Sequence, residues 1–148
     1  MTSFDIYSFN ELSLDQLYRI LQLRVNVFVV EQDCPYPELD GKDQTARHIL
    51  YQKDGEVLAY LRILPPGERF DYPSIGRIIV SEECRGGGFG HKLMQAGVDE
   101  CLLTFPGKNM ILSAQHHLQS YYQKHGFEAC SEAYDEDGIL HIDMLRKA

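Results

Sequence analysis

The feature that most constrains the chain is a glycine-rich turn between a predicted strand and a predicted helix. Four of the five residues Gly86–Gly90 are glycine. The β-branched segment Ser74–Ser81 predicts the strand, and apolar spacing between Gly88 and Leu103 predicts the helix. A helix that begins there presents unpaired N–H groups, and glycine lets an anion approach them. The alternative is a plain tight turn, but four glycines exceed what a turn needs, so anion binding is favoured.

Two common phosphate-binding patterns do not fit this turn. A P-loop requires Gly-Lys-Ser/Thr, whereas Gly90 is followed by His91, Lys92 and Leu93. The dinucleotide-binding pattern requires a glycine where His91 stands, and it follows the first strand of a repeating βαβ unit. Neither nucleotide-binding class is therefore predicted.

Around this turn, segments with strand and helix patterns follow one another in the order β-α-ββ-β-α-β-α-ββ. Ser13 and Gln16 form a capping-box pattern at the start of the first helix. Asp54-Gly55 separates two strand-like segments and predicts a tight hairpin. The chain has 148 residues, enough for one domain spanning residues 1–148. We expect an α/β (α+β) fold in which helices cover a mixed sheet.

Charge and composition exclude several classes of partner. The net charge of −8 argues against nucleic acid and mildly favours a cationic amine substrate. The four cysteines are scattered without metal-ligand spacing, so we expect free thiols and no bound metal. The sequence contains no apolar run long enough to span a membrane, and its opening residues lack a signal-peptide pattern. We therefore expect no membrane contact and a cytoplasmic location.

The residues Arg85-Gly86-Gly87-Gly88-Phe89-Gly90 fit the pattern Arg/Gln-x-x-Gly-x-Gly/Ala, between a strand and a helix. This resembles the pyrophosphate-binding motif of the GNAT acetyltransferases. Further segments are similar to the ElaA-type branch of that superfamily, among them LQLRVNVFVVEQDCPYPELDG, IGRIIVSEECRG and AQHHLQSYYQKHGF. The resemblance implies a GNAT fold with a mixed, mostly antiparallel sheet of about six to seven strands flanked by about four helices. One of these, a short second helix, is expected within residues 35–43.

The resemblance implies an N-acetyltransferase that uses acetyl-CoA as co-substrate. The acceptor amine attacks the thioester directly in a ternary complex, and no acyl-enzyme forms. The strand before the turn is expected to offer backbone groups to the pantetheine arm, and Gln115 and Gln119 to contact the same arm. The expected cofactor-binding residues are Ile78, Ile79, Val80, Arg85, Gly86, Gly87, Gly88, Phe89, Gly90, Gln115 and Gln119.

The family pattern places a catalytic tyrosine at Tyr122, four residues before Gly126, as the acid that protonates the departing thiolate. Tyr121 is expected to pack beneath the cofactor or into the core. No general base is assigned, because the strand before the turn lacks the glutamate that many relatives carry there. The residues considered for that role are Glu31, Asp40, His48 and His116, and a chain of water molecules is the alternative to a side chain.

The acceptor pocket is expected between Arg24 and Asp43, a stretch too polar and rich in proline to be only a connector. Arg24, Glu31 and Gln32 are the candidate substrate residues. A structural ion pair between Arg24 and Glu31 is an equal alternative. The acceptor is expected to be a small-molecule or peptide amine, and a homodimer is possible on family grounds. The rival function is a non-catalytic module that senses acyl-CoA.

Overall fold

The computed structural model describes residues 3–148 as one mixed sheet flanked by helices. Eight strands form the sheet in the order β1-β2-β3-β4-β5-β8-β6, with β7 also paired to β8. All strand pairs are antiparallel except β4 with β5. The strands are β1 (Asp5–Ser8), β2 (Arg47–Lys53), β3 (Glu56–Leu64), β4 (Ser74–Val80), β5 (Met110–Gln115), β6 (Glu128–Ala129), β7 (Tyr134–Glu136) and β8 (Ile139–Arg146).

Three α-helices pack on the sheet: α1 (Leu14–Arg24), α2 (Phe89–Thr104) and α3 (Gln119–Gln123). The helix α1 continues as a π-helical segment, Val25–Glu31. Its side chain Ile20 packs with Leu50 and Tyr60 on one face of the sheet. The helices α2 and α3 cover the opposite face, where Met94 and Tyr122 join the larger core. The sheet therefore has an α1 face and an α2–α3 face.

The predicted order of strands and helices is confirmed as far as α3, and so are its local signals. Three strands follow α3 where two were predicted, because the segment expected to form one strand before β8 forms β6 and β7, and the sheet has eight strands instead of six to seven. Ser13 Oγ accepts a hydrogen bond from the N–H of Gln16 at 3.0 Å, and the Ser13 N–H donates to Gln16 Oε1 at 2.9 Å. Asp54 and Gly55 both have positive φ in the β2–β3 hairpin. The GNAT fold predicted from the sequence is the fold observed.

The predicted helix count needs a correction. The short helix expected within residues 35–43 is not formed, and only a 3₁₀ turn begins at Asp43. Pro35 and Pro37 provide no backbone N–H for a helix, and the acidic side chains of this loop bond instead to arginines from three other elements. The described residues thus contain three α-helices and one π-helical segment.

Candidate active site

A cleft opens where the parallel strands β4 and β5 separate. The two strands pair only at Ser74 and Ile111, near their amino-terminal ends, and diverge beyond that point. From Ile75 to Val80, no strand formed by the described residues pairs with the β4 edge that faces β5. The cleft has a volume of about 670 Å³ and is lined by both strands, by α3 and by the β7–β8 hairpin. It leaves a row of β4 backbone groups accessible to a bound molecule.

A β-bulge in β4 marks the middle of this cleft. The register between β3 and β4 shifts between Tyr60 and Arg62, and Arg77 has a φ of 51°. This conformation is uncommon for a residue other than glycine and indicates a strained position that the surroundings hold in place. The Arg77 guanidinium is bound to Glu38 and Asp40, which supplies that hold. Beyond the bulge, Ile78, Ile79 and Val80 line the cleft, and their backbone contact with a cofactor arm stays a prediction.

The glycine-rich turn lies at the end of β4 and leads into α2. Gly86, Gly87 and Gly88 have φ values of 94°, 61° and 79°, so three consecutive residues occupy the left-handed region. A Cβ at any of them would meet nothing within 4 Å, so glycine is required here by backbone conformation and not by lack of space.

The first turn of α2 has unused donors. Within residues 3–148, the N–H groups of Gly90 and His91 have no hydrogen-bond acceptor, and no side chain caps the helix at Gly88. Such N–H groups, at the positive end of the helix dipole, form a site suited to a phosphate oxygen. Arg85 folds back and donates from Nε to the Val80 carbonyl at 2.8 Å. This holds the turn against the end of β4.

Two adjacent tyrosines of α3 face the cleft in different ways. The Tyr121 hydroxyl donates to the Gly90 carbonyl at 2.6 Å and ties α3 to the first turn of α2. Tyr122 lines the cleft, and its hydroxyl has no hydrogen-bond partner in the described part of the chain. Its ring packs against Tyr121 and Phe127. Burial raises the pKa of Tyr122 above the ordinary tyrosine value, so the hydroxyl keeps its proton at physiological pH.

Not every predicted cofactor residue reaches the cleft surface. Arg85, Gly90 and Gln115 line it, together with the three β4 residues, whereas Gly86, Gly87 and Gly88 form the turn at its end and do not line it. The Phe89 ring packs away from the cleft, against Phe4 and Tyr51, so only its backbone is available at the turn. Gln119 does not line the cleft either, and its Nε2 donates to the His116 carbonyl at 3.1 Å. The predicted Gln119 contact with the cofactor arm is therefore not supported.

A buried ionic network holds the loop that closes the other side of the cleft. We define it as the arginines Arg24, Arg62 and Arg77 with the acids Glu38, Asp40 and Asp43. Arg24 is 0% exposed and binds Glu38 and Asp43 at 2.8 and 2.7 Å. Arg62 binds Asp40 and Asp43 at 2.5 and 2.9 Å. Burial opposes the ionised form of Asp40, but the hydrogen bonds from Arg62 outweigh it and hold its pKa well below the usual range.

This network corrects the predictions for Arg24 and Glu31. Arg24 does not line the cleft, and its partners are Glu38 and Asp43, not Glu31. Glu31 is exposed and lies 3.4 Å from Arg85, beside the glycine-rich turn. Neither residue is placed to touch an acceptor. Gln32 does line the cleft and remains a candidate.

The structure also argues against three of the residues that the sequence offered as the general base. His48 is 0% exposed, and its ring nitrogens are bound to the Tyr60 hydroxyl and the Asp43 carbonyl. Burial lowers its pKa, so it is a neutral core residue. His116 is exposed and does not line the cleft. Asp40 lines the cleft, but the network engages both of its carboxylate oxygens.

A polar cluster on β5, β7 and β8 was missed by sequence reasoning. Ser113, Glu136 and His141 all line the cleft, and the Tyr134 hydroxyl lies 2.5 Å from Ser113 Oγ. The sequence of β8 carries a pattern that could have indicated this cluster, because His141 and Asp143 alternate with the buried Ile142 and Met144. That alternation places the polar side chains on the α1 face of the sheet, opposite the core.

Among residues 3–148, no helix is long and apolar enough to cross a membrane.

Comparisons with known proteins agree with this geometry. A family model for the acetyltransferase (GNAT) domain matches residues 16–148. Protein ElaA of Escherichia coli is 49% identical over 140 residues, which cover 93% of this chain and 92% of that protein. The crystal structure of Escherichia coli ElaA superposes with a TM-score of 0.93 at 46% identity, covering 99% of this chain and 100% of that chain. The crystal structure of an acyl-CoA N-acyltransferase from Pseudomonas aeruginosa has a TM-score of 0.94 at 42% identity, with 99% of each chain covered. The chain is thus an acyltransferase of the GNAT acetyltransferase family and belongs to its ElaA-type branch.

Proposed function

We propose that this acyltransferase moves the acetyl group of acetyl-CoA to an amine by direct attack in a ternary complex. The observation that carries the proposal is the separation of β4 from β5 directly before a turn with unused N–H donors. The turn suits the diphosphate of coenzyme A, and the free β4 edge suits the amide groups of its pantetheine arm. The acyl-CoA chemistry named for the Pseudomonas aeruginosa structure supports this choice.

Direct attack is favoured because the cleft offers no activated nucleophile for an acyl-enzyme. Cys34 Sγ donates to the Asp137 carbonyl at 3.3 Å, and Ser113 is hydrogen-bonded to Tyr134. Neither side chain has an imidazole within hydrogen-bond distance in the described chain. A serine or cysteine nucleophile normally needs such a base. The amine itself is therefore the group that attacks the thioester.

The first prediction is that acetyl-CoA stabilises the protein against heat, while ATP and NAD do not. Acetyl-CoA at 100 times its dissociation constant adds about 2.7 kcal/mol to the free energy of unfolding. For a chain of this length, that corresponds to a rise in Tm of roughly 5–11 °C. Thermal denaturation with each ligand at millimolar concentration measures the effect. An unchanged Tm with acetyl-CoA would contradict the proposal.

A screen of amines with a thiol-release assay then tests the transfer itself. Release of coenzyme A thiol that depends on the added amine supports acetyl transfer. Binding of acetyl-CoA with no turnover on any small amine or peptide amine would favour the non-catalytic sensor instead.

The second prediction concerns the unpartnered hydroxyl of Tyr122. Replacing Tyr122 with phenylalanine keeps the packed ring and removes only the donor to the departing thiolate. A thiol with a pKa of about 8.5 needs modest assistance, so we expect kcat to fall roughly 10-fold to 100-fold. The KM for acetyl-CoA and the Tm are expected to stay nearly constant, because the hydroxyl bonds to no protein group within residues 3–148.

The matched control is Tyr18→Phe, which removes an exposed hydroxyl on α1, outside the cleft. Its kcat should equal that of the wild-type protein. If Tyr122→Phe also retained the full kcat, Tyr122 would have no role as the acid.

A further inference from the structure

We infer that His141 is the general base that takes a proton from the acceptor amine, an assignment that rests on the proposed acetyl transfer. An amine with a pKa near 10 is mostly an ammonium ion at neutral pH and cannot attack until it loses a proton. None of the residues considered from the sequence is free to accept it in the cleft. His141 lines the cleft and is the imidazole that the fold brings there.

The hydrogen bonding of His141 leaves one ring nitrogen ready to accept a proton. Its Nδ1 lies 2.8 Å from the Ile139 carbonyl oxygen. A carbonyl can only accept, so Nδ1 carries the hydrogen and Nε2 of the neutral ring holds a lone pair. Nε2 lies 3.5 Å from Glu136 Oε2, whose negative charge would stabilise the imidazolium formed when the proton arrives. Glu136 is thus a positioning residue for this base.

Packing against Tyr134 fixes the orientation of the His141 ring. The His141 ring stacks on Tyr134 with an interplanar angle of 24°. The Tyr134 hydroxyl donates to Asp143 Oδ1 at 2.6 Å and accepts from Ser113, so this tyrosine is itself held at two points. His141 pairs with Gln115 across β5 and β8 and with Tyr134 across β7 and β8. Both cross-strand contacts keep the imidazole at the open end of β5.

The sheet places this base and the proposed acid on opposite sides of the cleft. Tyr122 belongs to the core on the α2–α3 face, together with Ile142. His141 is adjacent to Ile142 in β8 and therefore points to the α1 face. A thioester held along the β4 edge would have the tyrosine hydroxyl on one side and the imidazole on the other. This is the arrangement that an amine entering from the α1 face requires.

The proton balance of the step is complete with these groups. His141 Nε2 takes one proton from the ammonium, and the neutral nitrogen attacks the thioester carbon. As the C–N bond forms and the C–S bond breaks, the Tyr122 hydroxyl gives its proton to the departing thiolate. The nitrogen loses a second proton, which passes through water and restores the Tyr122 hydroxyl. The imidazolium then releases its proton to solvent. The products are the amide, the coenzyme A thiol and one proton.

Other charged and titratable groups surround His141 and bear on its pH dependence. Glu136 also binds Arg69 at 3.1 Å, which places a cation near the same carboxylate. The groups that face this region from β5, β7, β8 and the adjoining loops are Ser113, Tyr134, Glu136, Asp137, Asp143 and Arg69.

The test is the pH profile of kcat/KM for the amine that gives the fastest thiol release in the screen. The wild-type profile should fall on its acidic side as the base is protonated. We expect His141→Gln to lower kcat/KM about 100-fold and to abolish the acidic limb. The rise in Tm with acetyl-CoA should persist in this variant. The matched control is His117→Gln, an exposed histidine outside the cleft, which should behave as the wild type.

A second variant keeps the inference falsifiable if His141→Gln folds poorly. Glu136→Gln removes the carboxylate beside Nε2, so kcat for the amine should fall several-fold while the KM for acetyl-CoA stays at its wild-type value. An unchanged kcat in Glu136→Gln, or an acidic limb that persists in His141→Gln at full rate, would overturn the assignment while leaving acetyl transfer intact. If the acidic limb of the kcat/KM profile were lost in Asp143→Asn but kept in His141→Gln, the hydrogen-bonded chain Ser113–Tyr134–Asp143 would replace His141 as the base. Failure of the wild-type protein to bind acetyl-CoA would instead overturn the proposed function and this assignment with it.

Discussion

Replacing Gly88 with valine is expected to weaken the binding of acetyl-CoA about 100-fold. Gly88 has a φ of 79° at the N-cap of α2, a conformation that a β-branched residue rarely adopts. Valine would force the turn into another conformation and turn the adjacent N–H groups away from the diphosphate. The loss of two charge-assisted hydrogen bonds costs about 3 kcal/mol or more, which is a factor of 100 in the dissociation constant. Isothermal titration calorimetry of the wild-type protein and the variant measures the dissociation constant of acetyl-CoA.

The chain offers a closely matched control at Gly107. This glycine has a φ of 75°, lies in the turn between α2 and β5, and, like Gly88, leaves open space of at least 4 Å around the position that a Cβ would take. Gly107→Val therefore imposes a similar backbone strain at the opposite end of α2 from the glycine-rich turn. Both variants should lose similar thermal stability, but only Gly88→Val should lose affinity for acetyl-CoA. Equal affinity in the two variants would exclude the turn as the diphosphate site.

The parts of the fold that the sequence predicted are those encoded locally. The capping box at Ser13 and the hairpin at Asp54-Gly55 depend on residues within three positions of each other. The glycine-rich turn is likewise a continuous segment, and its place between β4 and α2 follows from strand and helix patterns on either side. Periodicity and turn chemistry carry this information directly.

The parts that sequence reasoning missed depend on contacts between distant segments. Arg24 was considered with Glu31, seven residues away, but it binds Glu38 and Asp43 across a loop whose path no periodic pattern describes. His141 reaches the cleft because β8 pairs with β5, and nothing local in the β8 segment shows which strand it joins. The helix predicted within residues 35–43 does not form for the same reason. The acids of that loop are bound by arginines from α1, β3 and β4, which are distant in sequence.

The buried ionic network is expected to make Arg24 the most sensitive charged residue for stability. The network contains three arginines and three acids, and it is balanced only while all six are present. In Arg24→Met, the methionine side chain fills a volume similar to that of arginine, but the network is left with a buried excess of negative charge. Removing one partner from a buried pair typically costs about 3–5 kcal/mol. We therefore expect Tm to fall by roughly 6–20 °C for a chain of this length.

Arg19→Met is the control on the same helix, because it removes the same charge from an exposed pair 3.7 Å from Asp15. An exposed pair of this kind contributes about 0–1 kcal/mol, so Tm should change little. Adding Glu38→Gln to Arg24→Met removes the unbalanced carboxylate, and the double variant should be less destabilised than the sum of the two single changes. Additive effects would mean that the two residues are not coupled.

The network also predicts which step of the reaction the Arg24 change affects. Tyr36 and Asp40 line the cleft from the loop that Arg24 anchors, whereas the glycine-rich turn is held separately by Arg85 and Tyr121. At a temperature where Arg24→Met remains folded, the KM for the acceptor amine should rise several-fold while the KM for acetyl-CoA stays near its wild-type value. A rise in both constants would mean that the loop supports the cofactor side as well. The loop that this network holds can thus shape the acceptor pocket although Arg24 itself does not line the cleft.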